Sequence, residues 1–122
     1  MSIRTVNKNG ETIALVESEG TLITDAQSAL DLMATVRYET DADRIALKKS
    51  ALDGRFFSLG SGLASEILQK FVNYQVKLAI IGDFSGYTSK PLRDFICESN
   101  NGNHVFFVSN EAEAIEKLSR TR

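Results

Sequence analysis

The sequence is poor in the residues that usually announce a chemistry or a special scaffold. It holds one cysteine, one histidine, one proline and no tryptophan in 122 residues. A single cysteine excludes a disulfide framework within the chain. One cysteine with one histidine excludes a multi-Cys or multi-His metal site built by one copy. No apolar run approaches the ~20 residues of a membrane-spanning helix. Neither sign of charge dominates, since fourteen Lys and Arg stand against sixteen Asp and Glu, a formal net charge of −2. Binding a phosphate backbone would demand a basic patch, so nucleic acid is not expected as a partner. The first nine residues, Met1 to Asn9, lack the apolar block of a secretory signal, which makes the cytoplasm the expected compartment.

What is present reads as an ordinary globular domain, with 43% apolar and 25% charged residues. The length supports one core that needs no staple. No Pro- or Ser-rich linker and no internal repeat divides the chain, so a single domain over 1–122 is expected. Short β-rich runs alternate with longer helical ones. Ile3 to Lys8 and Glu11 to Ser18 flank Asn9-Gly10, a strong hairpin signal because both central residues of a type I′ turn need positive φ. Thr24 and Gln27 have the spacing of a capping box, ahead of a helix over about Asp25 to Arg37 that carries Ala26, Ala29, Leu30, Met33 and Ala34. Glu39 to Asp43 reads as a solvated acidic loop. Arg44 to Lys49 alternates, with Ile45 and Leu47 pointing one way and Arg44, Ala46 and Lys48 the other, the pattern of a strand with one buried face.

Ser50 to Gly62 is a connection ending in Ser58-Leu59-Gly60-Ser61-Gly62. The helix Leu63 to Tyr74 presents Leu63, Ile67, Phe71 and Tyr74 as one stripe, with Tyr74 expected in the core and its hydroxyl at the rim. Lys77 to Gly82 is a continuous apolar strand, as expected near the middle of a sheet. After the polar loop Asp83 to Lys90, Pro91 opens a short helix, where its missing N–H costs nothing. That helix ends at Asn100-Asn101-Gly102, with Gly102 expected as a left-handed cap. The strand His104 to Val108 follows, and a capping box of Asn110 and Glu113 opens the last helix. The fold class is therefore α/β, of order ββαβαβαβα. An N-terminal hairpin leads into β-α repeats, giving a mixed, mostly parallel sheet with helices mainly on one face. The other face would carry Ala14, Val16, Ala46, Ala79 and Ile81. It is expected to be open, covered either by a second copy in a homodimer or by an N-terminal segment or solvent.

The order of elements and the segment Arg44 to Gly82 resemble the STAS domain, the fold of bacterial anti-sigma-factor antagonists. In that family a strand leads into a loop ending Asp-Ser-Ser-Gly-Leu, which opens a helix. Here Leu59-Gly60-Ser61-Gly62-Leu63 occupies that place, so Leu59 stands for the acidic residue and Gly60 for the first serine. Ser61 falls on the second serine, and the resemblance implies that it is phosphorylated. A second resemblance covers nearly the whole chain. Ser28 to Leu32, Ile67 to Tyr74, Gly82 to Ser85 and Tyr87 to Lys90 look like a small bacterial family known as a domain of unknown function (DUF forty-one-eighty). It implies a bacterial single-domain protein with a STAS-like core and carries no assigned activity.

The candidate site residues lie in two loops. Gly60, Ser61 and Gly62, with Ser58, form an interaction or phosphorylation candidate at a helix start, where free N–H groups and positive potential favour an anion. The plainer reading is that Ser61 is an N-cap. Asp83, Ser85, Tyr87, Thr88, Ser89 and Lys90 are ligand-loop candidates, at the same carboxyl edge where open α/β sheets place ligands. Taken singly they read as a solvated turn, with Ser89 or a neighbour capping the next helix. Cys97 reads as a small half-buried residue and His104 as a strand start, and nothing in the spacing brings them together as a nucleophile and base. No catalytic residue, metal ligand or cofactor is assigned. The leading expectation is a non-enzymatic protein-interaction or regulatory module switched at Ser61, with a protein as partner. The alternative is a small-molecule-binding domain, or an enzyme of unassigned class. It would use Asp83 to Lys90, with a pocket between the two loops lined by Phe57, Phe84 or Tyr87 and a perturbed carboxylate in it.

Overall fold

A computed structural model describes residues 1–120 of the chain. Five strands form one sheet in the order β1-β2-β3-β4-β5: β1 (Ser2–Lys8), β2 (Glu11–Glu17), β3 (Arg44–Lys48), β4 (Lys77–Ile81) and β5 (Val105–Val108). β1 and β2 are antiparallel and every later pair is parallel. The hairpin turns at Asn9 and Gly10, with φ of 55° and 81°, the left-handed geometry that this dipeptide tolerates. The helices are α1 (Ala26–Thr40), α2 (Leu63–Asn73), α3 (Lys90–Asn100) and α4 (Glu111–Arg120). Three short 3₁₀ turns, at Lys49–Ala51, Gly54–Phe57 and Leu59–Ser61, fill the connection from β3 to α2.

The first helix starts one residue later than its sequence signature suggests. Its N-cap is Asp25, whose carboxylate accepts the Ser28 N–H at 2.8 Å, while the Ser28 hydroxyl accepts the Asp25 N–H at 3.1 Å and the Thr24 N–H at 2.8 Å. A carboxylate and a short hydroxyl close that box, and Gln27 turns instead to Asp31 at 3.0 Å. The helix also runs on to Thr40, so the front of the expected acidic loop is helical. The chain leaves through Asp41 at a left-handed φ of 63°. Ala34 is exposed, whereas Leu32 and Val36 are buried in its place. Gly102 is not a left-handed cap: the C-cap of α3 is Asn101 with right-handed backbone, and the Gly102 N–H donates to Ser99 O. Tyr74 is 56% exposed rather than core, because α2 ends at Asn73 and the chain turns there through a left-handed Gln75. Cys97 is exposed on the outer side of α3. His104 is exposed in the bend immediately before β5, which starts at Val105 rather than at His104.

Two cores lie on opposite faces of the sheet. The larger holds Ala14, Val16, Ile45, Leu47, Leu78, Ile80 and Phe107 from the strands under α1 and α2, with Phe95 and Ile96 of α3 packed against it. The smaller holds Ile13, Leu15, Ala46, Ala79, Phe106 and Val108 under Ala114 and Leu118 of α4. The second face is therefore not open, and Ala14 and Val16 belong to the first face. Successive crossovers between neighbouring parallel strands share one hand and deliver α1, α2 and α3 to one side. Among the described residues α4 links no pair of strands, and it packs on the other side of the sheet. It is held there by ion pairs from β1, Arg4 to Glu111 at 2.6 Å and Lys8 to Glu116 at 2.9 Å. Beneath it the buried Arg44 donates to Glu11 at 3.0 Å and to Leu118 O at 2.7 Å. That bond accounts for a charged residue on an otherwise apolar face.

Candidate functional site

The two candidate loops meet at the carboxyl edge of the sheet. The connection after β3 is shaped by Phe56, fully buried, whose ring meets Phe57 edge-on with centroids 5.1 Å apart. Phe57 then stacks on Tyr87 of the loop after β4, at 5.0 Å and 12°. Phe84 lies 6.0 Å from Phe57 and stands at 88° to Phe107 of β5. Aromatic rings therefore join the loops directly, and the Phe57–Tyr87 stack occupies the space between them. Lys49 completes the junction. Its ammonium donates to Asp83 O at 3.0 Å and sits 4.8 Å from the Tyr87 ring centroid, within cation–π range. Gly82 allows this approach, because a Cβ there would stand 2.9 Å from Lys49 Cβ.

Ser61 is exposed at the end of the third 3₁₀ turn. It is not the N-cap of α2. That position is Gly62, at a left-handed φ of 76°, which glycine adopts without strain. The Ser61 hydroxyl lies 2.9 Å from Arg55 O and 2.8 Å from Ser58 O, sharing its one proton between them, and accepts the Leu63 N–H at 3.2 Å. One hydroxyl thus ties two 3₁₀ turns to the first residue of α2. Gly60 and Ser58 are exposed beside it. Arg55 is clamped locally, with its guanidinium on Asp53 at 3.1 Å.

In the second loop Asp83 organises a tight turn, accepting the Ser85 N–H at 2.9 Å and the Ser85 hydroxyl at 2.6 Å. Ser89 is the N-cap of α3 but makes no side-chain cap bond, and Lys90 pairs with Asp94 one turn on at 2.7 Å. Thr88 is exposed. Pro91 sits in the first turn of α3. Of the six candidates only Asp83 and Tyr87 make the contacts that join the loops.

A concavity of about 370 Å³ opens beside Phe84, and Ser61 is not among its lining residues. Gly82, Asp83 and Phe84 line it from the loop after β4, Phe107, Val108 and Ser109 from β5 and its exit, Ile96 from α3 and Glu113 from α4. Phe84 is the one aromatic that sequence reasoning placed at a pocket and that does line it. Ile96, Phe107, Ser109 and Glu113 were not legible as site residues, since their meeting depends on α3 and α4 lying on opposite faces. Lys49 was also missed, because a lysine ending a strand carries no signal of its own. Among the described residues, no cluster of three or more His, Cys, Asp or Glu side chains could hold a metal ion.

Two carboxylates of this edge, Asp83 and Asp53, are held ionised. Hydrogen bonds from the Ser85 hydroxyl and amide hold Asp83 below the usual range, and the Arg55 side chain and amide do the same for Asp53. A lowered folded-state pKa adds stability that is present above the unfolded value, near 4, and is lost as pH falls through the folded value. Thermal scans from pH 7 to pH 2.5 should therefore show the Tm falling below about pH 4. The double variant Asp53→Asn, Asp83→Asn should lose less over that range than the wild type. Parallel curves would contradict the assignment.

The geometry first defines a class: a small α/β domain with a mostly parallel sheet wound in one direction, an N-terminal hairpin, and the two candidate loops at one carboxyl edge. Within that class, the chain belongs to the family described as Domain of unknown function (DUF4180), whose model matches residues 8–118. No curated protein matches the chain significantly, and neither does any solved structure. No helix among the described residues is long and apolar enough to cross a membrane.

Proposed function

We propose that this chain is a non-enzymatic, STAS-like regulatory module of the bacterial cytoplasm. It docks a protein partner at its carboxyl edge and is switched at Ser61. The reading rests on one observation, the exposed Ser61 hydroxyl that bonds Arg55 O, Ser58 O and the Leu63 N–H at once. Phosphorylation would replace the O–H donor with an ester oxygen and add a charge of about −1.5 to −2. The carbonyls of Arg55 and Ser58 would then lose their donor and face an anion. The segment 58–62 would have to re-form, with the phosphate turned toward the free N–H groups at the start of α2. A switch of this kind changes the shape and the charge of the edge together.

The test compares four baits: wild type, Ser61→Ala, Ser61→Thr and Ser61→Asp, each shown to be folded by circular dichroism. Ser61→Thr keeps the hydroxyl and should capture the same partner as the wild type. Ser61→Asp should capture it at least tenfold less, or the reverse if the phosphorylated form is the binding one. Mass spectrometry of the tryptic peptide Phe56 to Lys70 should find the phosphate on Ser61. Equal capture by wild type and Ser61→Asp would overturn the switch.

A further inference from the structure

The connections leaving β4 and β5 part company. β4 runs into α3 on the first face of the sheet and β5 runs into α4 on the second. Neighbouring strands whose exits diverge in this way leave a crevice outside their carboxyl ends, the place where open α/β sheets bind ligands. Here that crevice is the concavity of about 370 Å³ beside Phe84, within the size range of small-ligand sites. Ser61, Phe57 and Tyr87 take no part in its lining.

We propose that this crevice is a binding site for a small organic amine, a cationic head on an aromatic or branched aliphatic body. Phe84, Ile96, Phe107 and Val108 supply an apolar floor and wall. The charged groups at its lining are two carboxylates, Asp83 and Glu113. Neither has an ion-pair partner among the described residues: Asp83 accepts from Ser85, and Glu113 from the Ser109 hydroxyl at 3.2 Å. Both retain acceptor capacity for an ammonium group. Lys49, beside the loop after β4, directs its ammonium to Asp83 O and the Tyr87 ring. The α4 N-terminus would draw an anion by itself, but Glu113 in its first turn offsets that potential. An anionic ligand would face two carboxylates and no cationic side chain in the lining. A neutral one would forgo the charge-assisted bonds.

The test uses the full chain and three probes of one shape: phenethylamine, 2-phenylethanol and phenylacetate. Titration followed by amide ¹H–¹⁵N spectra should move the signals of Gly82, Asp83, Ser109 and Glu113 with the amine. It should bind at least tenfold more tightly than the alcohol, with phenylacetate weakest. The double variant Asp83→Asn, Glu113→Gln should bring amine and alcohol to equal affinity while the alcohol's own affinity is kept, which separates lost charge from lost fold. Equal binding of amine and alcohol to the wild type, preference for phenylacetate, shifts centred elsewhere, or no shift with any probe at millimolar concentration would each overturn the proposal.

Discussion

Phe56→Ala is expected to lower the unfolding free energy by about 3–5 kcal/mol, the range for truncating a buried phenylalanine. The side chain is fully buried, and its ring meets both Phe57 at 5.1 Å and Phe107 at 6.5 Å, so no neighbour can close the hole without dragging a loop or a strand. Domains of this size are stable by only about 5–15 kcal/mol, and the variant would sit near the limit of folding at 37 °C. Urea unfolding should show the midpoint falling with little change in slope. The effect should also be local. Phe57 loses its edge-on support, so the Phe57–Tyr87 stack should loosen and Tyr87 fluorescence should change in the native state, before unfolding. A loss below 1 kcal/mol, or an unchanged Tyr87 signal, would mean that the edge is not built on Phe56.

Arg44→Ala is expected to cost about 3–5 kcal/mol, as for breaking a buried charged pair from one side. The side chain is 5% exposed and bonds Glu11 of β2 and Leu118 O of α4 together. Its removal leaves a buried carbonyl without that donor, a half-buried carboxylate and a cavity. Arg44→Met refills most of the volume without the charge and should recover a substantial part of the loss, since apolar replacements of buried pairs are often close to neutral. Glu11→Gln should cost less than either, because that side chain is 36% exposed and water replaces part of the interaction. Hydrogen exchange gives the second readout: in Arg44→Ala the amides of α4 should exchange faster than those of α1 and α2. Met costing as much as Ala would show that the hydrogen bonds, rather than the packed volume, hold α4 in place.

Much of the fold was legible because its signals are local. Asn9-Gly10 dictated a hairpin through the φ values that its two residues tolerate. The alternation of Arg44 to Lys48 separated Ile45 and Leu47 from Ala46, and the two cores respect that separation. Pro91 marked the first turn of α3. The misreadings share a cause. Thr24 and Gln27 fit the box spacing as well as Asp25 and Ser28 do, and only the bonds actually made decide between them. In β2 all four residues Ile13 to Val16 are buried, so alternation cannot say which pair faces which core. Ser61 was placed correctly at the mouth of α2 but one position from the cap, because Gly62 takes the left-handed conformation that the turn requires.

By itself the sequence determined the element order, the near-neutral charge and the two loops at one sheet edge. These follow from side-chain periodicity, turn chemistry and composition, each settled within a few residues of chain. Only the tertiary structure decided that α4 crosses to the second face, that Arg44 is buried beneath it, and that Ile96, Phe107, Ser109 and Glu113 meet around Phe84. Those facts depend on which surface remained uncovered once three crossovers had filled the other. That condition is satisfied across the whole sheet, and no local stretch of sequence encodes it.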